Sequence, residues 1–109
     1  MEAYGGRCAI SRTGVLDVLQ AAHIRGYKGA HSNHVSNGLL LRADIHNLFD
    51  MKMITIEPFT MKVFVSPSLK GTPYWAYNDL EIAAPVKKKN RPCNKALGEH
   101  FSATAAVRI

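Results

Sequence analysis

Three observations predict an α+β fold for this 109-residue chain. Two alternating apolar runs, Met53 to Glu57 and Met61 to Val65, flank a proline-containing turn. A stretch with helical spacing, Arg42 to Met51, precedes them, and a second, Lys95 to Ala105, closes the chain. A length of 109 residues suits one domain, 1–109, with one modest core.

Composition narrows the class before any motif is read. A hydrophobic fraction of 47% with 20% charged residues is ordinary for a folded domain and argues against disorder throughout. No apolar run reaches the roughly 18 residues of a membrane span. Met1 to Gly6 lacks a basic segment followed by an apolar one, so a secretory signal is not expected and cytoplasmic residence is. Cys8 and Cys93 belong to no C-x-x-C pair, which excludes a four-cysteine zinc site within the chain and leaves reduced thiols as the expectation.

Fourteen Lys and Arg against eight acidic residues give a net charge of +6. A small domain this basic is drawn to polyanions, nucleic acid first. A membrane surface is not expected as a partner, because no basic amphipathic helix with aromatic anchors is present.

In chain order, Arg7 to Ile10 reads as a short strand entering the core, followed by a turn at Ser11 to Gly14. Val15 to Ile24 fits helix or strand. The glycines at 26 and 29 favour a strand over Leu19 to Ile24. Arg25 to Ser36 is an irregular loop, the kind of segment on which functional groups concentrate. Leu39 to Leu41 is a buried strand or the lead-in to a helix.

Arg42 to Met51 is then a helix of two to three turns. Asp44 sits near the positive end of its dipole, and Ile45, Leu48 and Phe49 form its apolar face. His46 and Asp50, four residues apart, project from a neighbouring face and converge. The alternating runs around Pro58-Phe59-Thr60 form a β-hairpin. Tyr74 to Tyr77 packs on the domain as core aromatics, with base stacking as the lesser reading. Lys87 to Arg91 (KKKNR) is a basic extended stretch, read as a solvated loop ahead of a phosphate contact.

Hydrolysis of a phosphodiester needs an attacking water, a base for its proton and positive charge at the phosphate oxygens. A histidine suits the base, being largely neutral near pH 7. An imidazole and a carboxylate one helical turn apart form a half-site for a divalent cation, the remaining positions being left to water and phosphate. Each part alone is ordinary: a His-x-x-x-Asp pair is usually a surface contact, and Asn-Gly usually a turn.

Order and spacing are more specific. A-A-H-I ends at Ile24, N-G-L-L-L begins fourteen residues after His23, and H-x-x-x-D begins nine after Asn37. This pattern closely resembles the HNH endonuclease family over about Cys8 to Glu57, in the branch reading A-H-I … N-G-L-L-L-R-A-D-I-H-x-L-F-D that occurs as a module of restriction-type enzymes. The resemblance implies a ββα-metal (His-Me finger) core over about residues 8–57. An added β-hairpin and a C-terminal helix would complete the fold, with residues 58–109 as C-terminal support.

By matching position, His23 would be the general base and Asn37 would hold the loop that positions it. His46 and Asp50 would bind one divalent metal ion, Mg²⁺ first, with Mn²⁺, Ni²⁺ or Zn²⁺ as alternatives. The implied reaction is hydrolysis of DNA to a 5′-phosphate and a 3′-hydroxyl. Arg25, Lys28 and Arg42 flank the centre as phosphate contacts, although Arg42 could equally brace the helix start. His31 and His34 are read as polar loop residues ahead of metal ligands.

One departure stands out. Many family members carry a ligand just before the base histidine, and Ala22 stands there here. The alternative reading is therefore a catalytically weak or inactive DNA-binding module of the same fold. A structural metal site of His46 with Cys8, Cys93 or His100 is a remote third. Double-stranded DNA is the expected partner, with a homodimer for double-strand cutting and a larger restriction-type protein as further expectations.

Overall fold

A computed structural model of the chain describes residues 2–25 and 34–107. The first sheet pairs β1, Leu19–His23, with β2, Gly38–Arg42, antiparallel and in register from Leu19 opposite Arg42 to His23 opposite Gly38. Helix α1, Ala43–Asp50, follows β2 without a connecting loop and packs on both strands. The second sheet pairs β3, Ile54–Ile56, with β4, Val63–Val65, also antiparallel. Helix α2, Asn94–Val107, lies on β3. The architecture is α+β, with two small antiparallel sheets and two α-helices among the described residues.

Leu39, Leu40 and Leu41 are all buried, so β2 is covered on both faces. A continuous apolar run is the signature of such a strand, where a half-exposed one would alternate. The run Cys8 to Ile10 is buried too, but it is a turn and not the strand expected from Arg7 to Ile10. The chain doubles back there: Cys8 N–H bonds to the Thr13 carbonyl at 2.9 Å and Arg12 N–H to the Cys8 carbonyl at 3.0 Å. Arg12 adopts φ of 66°, the left-handed region that reverses a chain. Ala9 reaches the sheet through its backbone, donating its N–H to the Leu40 carbonyl at 2.7 Å.

The hairpin between β3 and β4 turns at Pro58 to Thr60, as its alternation predicts. Its closing group is the Glu57 carboxylate, which accepts from the N–H groups of Phe59 and Thr60 and from the Thr60 hydroxyl. Ile54, Ile56, Val63 and Val65 feed one core with Ile45 and Phe49 of α1 and Ala96 and Leu97 of α2. Tyr74, Trp75 and Tyr77 pack against its edge as partly buried aromatics, in a 3-10 turn over Pro73–Tyr77. No described helix is long and apolar enough to cross a membrane.

Candidate active site

Three consecutive elements present the candidate residues. His23 ends β1, half-buried, opposite Gly38.

Directly after His23 the chain is gripped by Asn37. The Asn37 carbonyl accepts the Ile24 N–H at 2.8 Å, and its side-chain Oδ1 accepts the Arg25 N–H at 2.9 Å. Its Nδ2 donates to the Arg25 carbonyl at 3.2 Å. A carboxamide is the one side-chain type of this length that both donates and accepts; aspartate at neutral pH offers no donor. Asn37 thereby extends the β1–β2 ladder past its last registered pair and sets the backbone at the end of β1. It is itself held by the 3-10 turn Val35–Asn37, which His34 caps by accepting the Ser36 N–H at its Nδ1.

Helix α1 brings His46 and Asp50 together. His46 Nε2 lies 3.2 Å from Asp50 Oδ2, with the imidazole 21% and the carboxylate 61% exposed. Ile45 and Phe49, their immediate predecessors, are fully buried and pin the helix rotation. The pair consequently sits at the edge of the apolar face, open to solvent.

On its other side, the His46 ring meets a residue that spacing arguments did not single out. His46 Nδ1 stands 2.7 Å from Gln20 Oε1 on β1. With Nδ1–H donated to that oxygen, Nε2 faces Asp50, and either a proton on Nε2 or a cation between the two groups makes that contact attractive. Two ligands adjacent on one cation, each at about 2.1 Å, lie about 3 Å apart. The imidazole and carboxylate therefore fit a small divalent ion and leave its remaining positions open.

Among the described residues no group of three or more His, Cys, Asp and Glu side chains gathers as a metal set. His100 is sealed in the core between the Thr55 hydroxyl and the Phe49 carbonyl. Cys8 Sγ accepts from the N–H groups of Ser11 and Arg42. Neither reaches out to join His46, and both cysteines are free thiols.

The flanking cations are already engaged. Arg25 forms a two-pronged pair with Glu99 of α2, Nε to Oε1 at 2.9 Å and a terminal nitrogen to Oε2 at 2.8 Å. That contact raises its pKa above the ordinary guanidinium value. Arg42 grips Asp44 in the same way at 2.7 and 3.0 Å, and Tyr74 donates its hydroxyl to the same carboxylate at 2.8 Å. The Arg42 guanidinium, first, and then the Tyr74 hydroxyl hold the Asp44 carboxyl down at about 2. Arg42 thus braces the start of α1. Lys28 and His31 lie outside the described residues.

With this geometry in view, similarity to known proteins can be stated. Residues 8–57 match the HNH endonuclease family. The HNH segment runs from the turn at Cys8 to the end of β3 and includes His23, Asn37, His46 and Asp50. No curated protein matches the chain. Among solved structures it is similar in fold to a modification-dependent TagI restriction endonuclease, with a TM-score of 0.63 and 24% identity. The match covers 94% of this chain and 34% of that one, so the chain spans about a third of the length of this relative.

Gln20 and Glu99 escaped the motif reading because their partners are 26 and 74 residues away. The one available signal for Gln20 was strand alternation: it lies two residues before Ala22, on the same face of β1.

Proposed function

We propose that the chain is a metal-dependent HNH endonuclease module that hydrolyses DNA phosphodiester bonds on a ββα-metal unit formed by β1, β2 and α1. The observation that carries this reading is the His46–Asp50 pair, half-buried and exposed respectively, with ligating atoms 3.2 Å apart, inside the segment that matches the family.

His46 and Asp50 would hold one divalent cation, Mg²⁺ first, which when bound supplies positive charge at the phosphate oxygens. Gln20 orients the His46 ring so that Nε2 faces outward toward the site. His23 takes the proton of the attacking water at a ring nitrogen. Asn37 keeps that ring in place by fixing the backbone of the two residues that follow it. Water adds to phosphorus and the bond to the sugar 3′-oxygen breaks, leaving a 3′-hydroxyl and a 5′-phosphate. One such centre cuts one strand, so double-strand cleavage calls for a homodimer or two events. Likeness to a much longer restriction endonuclease supports a module of a larger restriction-type protein.

A second reading, a DNA-binding module with little catalysis, draws on Ala22. This residue is 1% exposed, supplies no donor, and occupies the place where many family members carry a further ligand.

A plasmid-nicking assay over a series of metals separates the two. Nicking with Mg²⁺ or Mn²⁺ is expected. His23→Ala should lower the rate by about 10²- to 10⁴-fold without loss of binding. Asp50→Ala should leave the fold intact, because that side chain is exposed, and shift the metal dependence to higher concentration. Binding with no metal-dependent nicking would favour the second reading.

A further inference from the structure

Arg25 and Arg42, two of the cations expected to flank the candidate site, are each paired with a carboxylate. The basic stretch beyond the HNH segment is not: Lys87, Lys88 and Lys89 are exposed and pair with no carboxylate among the described residues. The stretch is also not a loose loop. Asn90 N–H bonds to the Lys87 carbonyl at 2.9 Å, making a 3-10 turn over Lys88–Asn90. Arg91 Nε reaches back to the Pro85 carbonyl at 3.0 Å and closes the segment on itself, with Pro85 and Pro92 buried at its ends.

This turn packs against Val35–Asn37, and Cys93 N–H ties its far end to the Ser36 carbonyl at 2.8 Å. Asn37 in turn grips the chain just past His23. The backbone that carries these three lysines is therefore tied to the turn that precedes β2 and, through Asn37, to the end of β1. Charge kept only for solubility needs no such brace; a backbone-phosphate contact gains from one, since less ordering is left to occur on binding.

We propose that Lys87, Lys88 and Lys89 form a surface for the phosphate backbone of duplex DNA that sets the strand across the candidate active site. This inference rests on the nuclease reading for its choice of duplex DNA. It places the main phosphate contact outside residues 8–57.

The test is affinity of the full chain for a short random-sequence duplex in the presence of a metal chelator, over about 50 to 200 mM salt. Each backbone phosphate contact contributes about 0.9 to the slope of log affinity against log salt. Replacing all three lysines with glutamine should reduce that slope by about 2 to 3 and weaken binding on the order of 100-fold near 0.1 M salt. A control variant, Arg7→Gln with Lys62→Gln and Lys70→Gln, removes the same charge elsewhere and should keep most of the slope. Thermal melting confirms that both variants fold.

An unchanged slope in the Lys87–Lys89 variant overturns the proposal, as does an equal loss in the control, which would assign the effect to net charge. Tighter binding to phosphatidylserine vesicles than to duplex would reassign the surface to membranes and also overturn it. Normal nicking with an unchanged slope sinks this surface alone. A reduced slope in a chain that never nicks supports the surface and sinks the nuclease reading.

Discussion

His46 stands between two oxygens, Gln20 Oε1 at 2.7 Å and Asp50 Oδ2 at 3.2 Å, and these two contacts differ in kind. The Asp50 contact lies within one helix and is implied by the spacing. The Gln20 contact crosses from β1 to α1 and selects which ring nitrogen is free. Groups that orient a ligand in this way typically account for 10- to 100-fold in metal affinity. Gln20→Leu should therefore weaken Mn²⁺ binding by about that factor in a titration followed by electron paramagnetic resonance. Gln20→Glu, which keeps the acceptor, should retain binding. Melting temperature should hardly move, because Gln20 is exposed. Equal affinity in the leucine variant would show that α1 alone orients the ring.

At the scale of elements, α2 is joined to α1 and β3 by a buried histidine. His100 stacks flat on Phe49, ring centroids 3.7 Å apart and planes 7° from parallel. It donates Nε2–H to the Phe49 carbonyl at 2.7 Å and accepts the Thr55 hydroxyl at Nδ1, 2.6 Å away. Both nitrogens are satisfied in the neutral form, and burial pushes the pKa down to about 4. The unfolded chain binds this proton at its ordinary value of about 6.5, whereas the folded one resists it until about 4. Stability from this group is thus complete above pH 6.5 and declines as pH falls toward 4, by about 3 kcal/mol in all. Urea denaturation over that window should follow the decline. His100→Gln should flatten it; a slope that survives the substitution would assign the acid sensitivity to another group.

For the whole molecule, the HNH segment and the fold do not have the same boundary. Ala96, Leu97, His100 and Thr104 of α2 are buried, and α2 covers β3, the last strand of the segment. Without that helix Ile54, Ile56 and Phe49 would face water, each a loss of about 1.5–3 kcal/mol of burial. A small domain has only about 5–15 kcal/mol of net stability. A fragment ending at Cys93 should therefore show no cooperative thermal transition by circular dichroism, although it keeps every residue of the proposed centre. A sharp transition would mean that the core holds together without α2.

The sequence by itself carried most features whose cause is local. The leucine run of β2, the His46 to Asp50 spacing on α1 and the hairpin alternation each depend on neighbours a few residues apart, and the family motif can be read from its order along the chain alone. Even the failure at Arg7 to Ile10 is instructive, since an apolar run reports burial and does not report the left-handed turn at Arg12 that folds it back. Tertiary structure alone decided which charges are free. Glu99 reaches Arg25 across 74 residues, Tyr74 completes the Asp44 cluster across 30, and Lys87 to Lys89 meet no carboxylate among the described residues, on a turn packed against Val35–Asn37. Pairing between distant segments depends on how whole elements pack, and no periodicity along the chain encodes it.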